Sequence, residues 1–77
     1  MEADKHLKAE GLACVNLTPE IKIAMKDLQP AQVLEVFNDD PASRLGIPAW
    51  CRLTGNALIE TNELNSTDTL YYIQKKS

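Results

Sequence analysis

The sequence predicts an α+β fold: a two-layer α/β sandwich of order βαβαββ, with two helices on one face of a mixed four-stranded sheet. Three observations predict it. Ile21, Ala24, Met25 and Leu28 recur at i, i+3, i+4 and i+7, the apolar stripe of an amphipathic helix. Residues 33–37, 57–64 and 69–75 are β-rich runs bounded by turn residues. Between the first two of these runs, Asp40-Pro41 and Gly55-Asn56 supply the start and stop signals of a second helical segment.

Taken in order, Leu7-Lys8-Ala9-Glu10 alternates apolar and polar and reads as a short first strand. Gly11 then permits a bend, and Cys14 stands at the end of this strand segment. Thr18-Pro19-Glu20 gives the first helix its hydroxyl cap, its proline at the first helical position and its early acid. Pro30 ends that helix by restricting Gln29 to extended geometry. In the strand that follows, Leu34 and Val36 should face one side and Val33, Glu35 and Phe37 the other. Pro48 lacks an N–H, and its ring opposes the carbonyl of Arg44. The expectation is therefore a turn over 41–45, a break near Gly46 and a helix over 47–54. Asn65-Ser66-Thr67-Asp68 is the turn between the last two strands. Right-handed crossovers place both helices on one face and leave the other open. The expected core comprises Ile21, Met25, Leu28, Leu34, Val36, Ile47, Leu53 and Ile73.

The chain has 77 residues, enough for one small domain spanning 1–77. Its net charge of −3 argues against a nucleic-acid partner, because phosphates reward a basic face. One histidine, His6, and two distant cysteines, Cys14 and Cys51, do not make a four-ligand zinc site or a disulfide framework. The first six residues are mostly polar, with no apolar run behind them, so a secretory leader and a membrane span are not expected. The chain reads as a cytoplasmic protein with free thiols, needing no cofactor. No histidine is paired by motif with a nucleophile and no Gly-rich phosphate loop is present, so nothing points to an autonomous hydrolase.

Three segments carry a resemblance: the turn Asp39-Asp40-Pro41-Ala42, the helix start Ile47-Pro48-Ala49-Trp50-Cys51, and the terminal strand with an aromatic-x-Ile-x-Lys pattern ending at Lys75. In order and at these spacings, the chain resembles the TusA/SirA-like family of small sulfur carriers from about Leu7 to Lys76. The resemblance implies a two-layer α/β sandwich. It also implies a cysteine after the first strand that accepts a persulfide from a cysteine desulfurase and passes it to a relay protein, for example toward tRNA thiolation. Cys14 stands at that cysteine position and is the candidate catalytic residue. The family's Cys-Pro-x-Pro motif is degenerate, with Val15 and Leu17 in place of the prolines. Lys22 matches a position that is often basic in the family. Lys22 and Lys26, at i and i+4, and Asp39 are candidates for partner docking.

Two other readings stand beside the carrier. One is a non-catalytic interaction or regulatory module on the same fold, with Cys14 a structural, half-buried cysteine. The other is single-stranded RNA binding on the open sheet face through exposed Tyr72 and Phe37, which the acidic charge disfavours. Cys51 is expected beside Trp50 and Leu53 on the apolar side of the second helix, as a packing residue.

Overall fold

The computed structural model describes residues 3–11 and 14–76, positions 14 and 15 in their backbone alone. The elements are β1 (Lys5–Ala9), α1 (Cys14–Lys26), β2 (Val33–Asn38), α2 (Ser43–Thr54), β3 (Ala57–Glu63) and β4 (Thr69–Gln74). The strands lie in the order β1-β2-β4-β3. β1 runs parallel to β2, and β4 runs antiparallel to both β2 and β3. β2 and β3 are therefore parallel to each other, so each helix is a crossover between parallel strands.

The alternation in β2 separates the two faces as the sequence predicts. Leu34 and Val36 are buried and stand in register with Ile73 and Tyr71 of β4. Leu17, Ile21, Ala24, Met25 and Leu28 from α1 pack on that face, with Ile47 and Cys51 from α2. Both helices thus cover one face. Each large apolar side chain removed from water here contributes about 1.5–3 kcal/mol.

Four expectations are corrected. First, α1 starts at Cys14, four residues before Thr18, and Pro19 lies inside it. Leu17 explains the longer helix: it continues the Ile21 stripe one turn back and is fully buried. Second, α2 is unbroken from Ser43 to Thr54 with Pro48 inside it. Proline in a helix interior costs about 3 kcal/mol. Burial of Ser43, Ile47 and Cys51 along one stripe offsets that loss. Third, Leu53 is 87% exposed rather than core. It lies about 200° around the helix from Cys51, on the far side from the sheet. Fourth, Tyr72 is on the open face but only 7% exposed. Its hydroxyl donates to Glu35 Oε2 at 2.8 Å.

Gln29-Pro30-Ala31-Gln32 closes as a turn, with the Gln32 N–H donating to the Gln29 carbonyl at 3.1 Å. Proline at the second position and positive φ at the third are the type II pattern, which favours glycine at the third. Here that residue is Ala31, at φ 73°. A left-handed non-glycine residue costs about 1–2 kcal/mol, and glycine loses about 0.5–1 kcal/mol more backbone entropy on folding. Ala31→Gly should therefore stabilise the protein by roughly 0.5–1 kcal/mol in urea unfolding. No gain, or a loss, would show that the turn is relaxed with alanine.

On the open face, His6 Nδ1 lies 2.9 Å from Glu35 Oε1. That contact and the Tyr72 hydroxyl hold the Glu35 carboxyl below its ordinary value of 4.5. A carboxyl lowered in the folded state contributes stability above its unfolded value and loses it as pH falls through the folded one. Glu35→Gln should flatten the decline of melting temperature as the pH drops below about 4.5. An acid limb of wild-type steepness in that variant would remove Glu35 from the account.

Candidate functional site

Cys14 is placed by the connection between β1 and α1, and that connection is tied to the turn after β2. β1 ends at Ala9, whose carbonyl accepts from Asn38 Nδ2 at 2.9 Å, a buried bond. Gly11 follows at φ 78°, with nothing within 4 Å of the position of an added Cβ. Glycine is favoured there by the backbone conformation, not by crowding. The Gly11 N–H donates to Asp39 Oδ1 at 2.9 Å. α1 then begins at Cys14, so the cysteine lies in the first turn, where unpaired N–H groups and the helix dipole favour negative charge.

The turn that holds this connection is itself locked. Asn38 Oδ1 accepts from the Asp40 N–H at 3.0 Å, and Asp40 Oδ1 accepts from the Ala42 N–H at 3.0 Å. Ser43 Oγ donates to the Asp40 carbonyl at 2.7 Å and lies 2.6 Å from the buried Tyr71 hydroxyl. Aspartate and asparagine suit this run because their short side chains bond the backbone two residues on.

Cys51 is a different kind of thiol. It is 2% exposed in the helix–sheet core, and burial pushes it up to about 11. A thiol so placed is inert at neutral pH. It was expected beside Trp50 and Leu53; Trp50 packs against the core, and Leu53 does not.

Lys22 and Lys26 are exposed on α1 and share a groove of about 250 Å³ with Met25, Thr54, Asn56, Lys75 and Lys76. Among the described residues no acidic side chain lines it, although the chain is acidic overall. Along the helix, Lys22 and Lys26 stand about 12 and 18 Å from Cys14 at 1.5 Å per residue. The structure brings these two lysines together but turns Asp39 elsewhere, onto Gly11. Sequence reasoning missed the contribution of Lys75 and Lys76 to the groove, because a strand register is needed to bring the C-terminus beside α1. It also missed Asn38, which the patterning left one residue beyond the end of β2.

The open face gives RNA little to stack on. Tyr72 is buried and its hydroxyl is engaged by Glu35, while Phe37 is half-buried. Among the described residues, no group of three or more His, Cys, Asp or Glu could hold a metal ion, and no helix is long and apolar enough to cross a membrane.

Comparison with known proteins is consistent with this frame. The family model described as sulfurtransferase TusA matches residues 5–75. The chain is 36% identical over 74 residues to the sulfur carrier protein TusA of Pseudomonas paraeruginosa, covering 96% of this chain and 92% of that one. It is 37% identical over 76 residues to the YrkI protein of Bacillus subtilis, covering 97% of this chain and 99% of that one. To the sulfur carrier protein TusA of Pseudomonas fluorescens it is 34% identical over 77 residues, covering 100% and 92%.

Proposed function

The chain belongs to the TusA family of sulfur carriers, and from that premise we propose that it carries sulfur as a persulfide on Cys14 between a cysteine desulfurase and a downstream acceptor. The start of α1 at Cys14 is the observation that carries the proposal. A thiolate in the first turn of a helix is stabilised by the dipole, and a thiolate is the nucleophile that sulfur transfer requires.

In the loading step the Cys14 thiolate attacks the terminal sulfur of the donor's cysteine persulfide. A new S–S bond forms on Cys14 and the donor's S–S bond breaks. The donor cysteine leaves as a thiolate, which takes up a proton from solvent. One sulfur atom moves at constant oxidation level, so no cofactor is consumed. Delivery repeats the exchange, with an acceptor thiol as the attacking group; a tRNA-thiolation relay is one such destination. Lys22, Lys26 and Asp39 are the docking residues of this reading, the lysines offering cations to an acidic partner surface at some distance from the thiol.

A second reading, an interaction module with an unreactive Cys14, is favoured by one observation. Leu17, at a family proline position, is a fully buried core residue of α1. Incubation with a cysteine desulfurase and cysteine, followed by intact-mass analysis, separates the two. The carrier gains one sulfur atom, removed again by a reducing thiol. A chain that gains none from any desulfurase is the module.

A further inference from the structure

We infer that Asp39 is a positioning residue for Cys14, acting through its hydrogen bond to the Gly11 N–H. The inference rests on the reading of Cys14 as the sulfur-bearing thiol. Two bonds tie the segment leading to Cys14 to the end of β2: Asn38 Nδ2 to the Ala9 carbonyl, and the Gly11 N–H to Asp39 Oδ1, both at 2.9 Å. They differ in kind. The Asn38 bond is buried and closes the end of the β1–β2 pair, where Ala9 and Asn38 are register partners. Removing it unsettles the sheet. The Asp39 bond is at the surface, beyond the last register pair, and holds only the backbone three residues before Cys14.

The turn behind Asp39 is hydrogen-bonded into the core. Through Asp40 and Ser43 the turn reaches the Tyr71 hydroxyl in the core. Gly11, by contrast, is exposed, at positive φ, and without a side chain to hold it. Glycine leaves that point of the chain free to take many conformations, and one hydrogen bond to a fixed carboxylate selects among them. The thiolate gains from the helix dipole only while Cys14 stays in the first turn, since the effect fades within a turn. Asp39 thus couples a fixed frame to the reactivity of the cysteine without touching it. The bond needs an acceptor oxygen at this point, not a charge. Asparagine therefore serves in its place and alanine does not.

Site-resolved alkylation of the full chain tests this. Iodoacetamide rates across a pH series are read separately on the tryptic peptides 9–22 and 45–52, which hold Cys14 and Cys51. In Asp39→Ala the Cys14 titration should move up, and its rate at neutral pH should fall roughly threefold to tenfold. Cys51 should stay protected and the melting temperature should change little. Asp39→Asn should restore wild-type behaviour. A wild-type titration in Asp39→Ala overturns the inference. So does an equal change in both variants, because asparagine keeps the acceptor oxygen and with it the bond. Desulfurase loading of wild type, run in parallel, tests Cys14 as carrier independently. If wild type takes no sulfur but Asp39→Ala still shifts the titration, the positioning stands and the carrier reading falls.

Discussion

Cys14→Ser should abolish sulfur uptake from a desulfurase, while Cys51→Ala should load as wild type. Burial sets Cys51 apart as an unreactive thiol. A thiol pushed up to about 11 by burial is ionised in only about one molecule in ten thousand at pH 7. Cys51 is also 2% exposed, so a donor persulfide does not reach it without opening the core. Cys14, as the first residue of α1, is the carrier thiol of the proposal, and a helix start is where a thiolate is favoured. Intact mass after desulfurase treatment reads the difference directly. Persisting sulfur on Cys14→Ser that maps to Cys51 would mean the core opens on the time scale of the assay, and the assignment of roles would be lost. Cys51→Ala is the fitting control because it removes one buried sulfur and leaves Ser43 and Ile47 of the same stripe in place.

The sheet was legible because its alternation is regular. Leu34 and Val36 could face only the core, and the three β-rich runs fixed the number of strands after the first helix. The helices were legible in number but not in extent, and proline misled both times. Pro19 and Pro48 read as a start and a break, yet each falls one turn inside a helix. A local rule about one missing hydrogen bond was outweighed by tertiary burial, of Leu17 in one helix and Ile47 in the other. The stripe extending back from Ile21 to Leu17 was the available signal. Leu53 was misplaced for the related reason that its phase depends on where α2 begins. Cys14 was singled out only through resemblance. Neither the Asp39 bond to Gly11 nor the lysine groove has a local pattern, because each joins segments far apart in the chain.

Leu17→Ala should be among the most damaging single changes to the fold. The side chain is fully buried among Ile21, Met25 and the sheet face, and its removal leaves a cavity that the small core cannot close. Such substitutions cost about 2–5 kcal/mol. A domain of this size has roughly 4–11 kcal/mol in all, at 0.05–0.15 kcal/mol per residue. Each kcal/mol moves the melting temperature by about 4–8 °C, so a fall of roughly 10–30 °C is expected. Leu53→Ala, at an 87% exposed position of α2, should stay within about 0.5 kcal/mol of wild type. Leu17→Pro, which brings back a family proline, sits early enough in α1 for the backbone to accept it, but it empties much of the same volume. Restoring prolines at 15 and 17 together should therefore stiffen the approach to Cys14 only with a measurable loss of stability. Urea unfolding of the four variants decides it. A Leu17→Ala protein as stable as wild type would mean that the first turn of α1 is not packed on the sheet, and the placement of Cys14 at a fixed helix start would go with it.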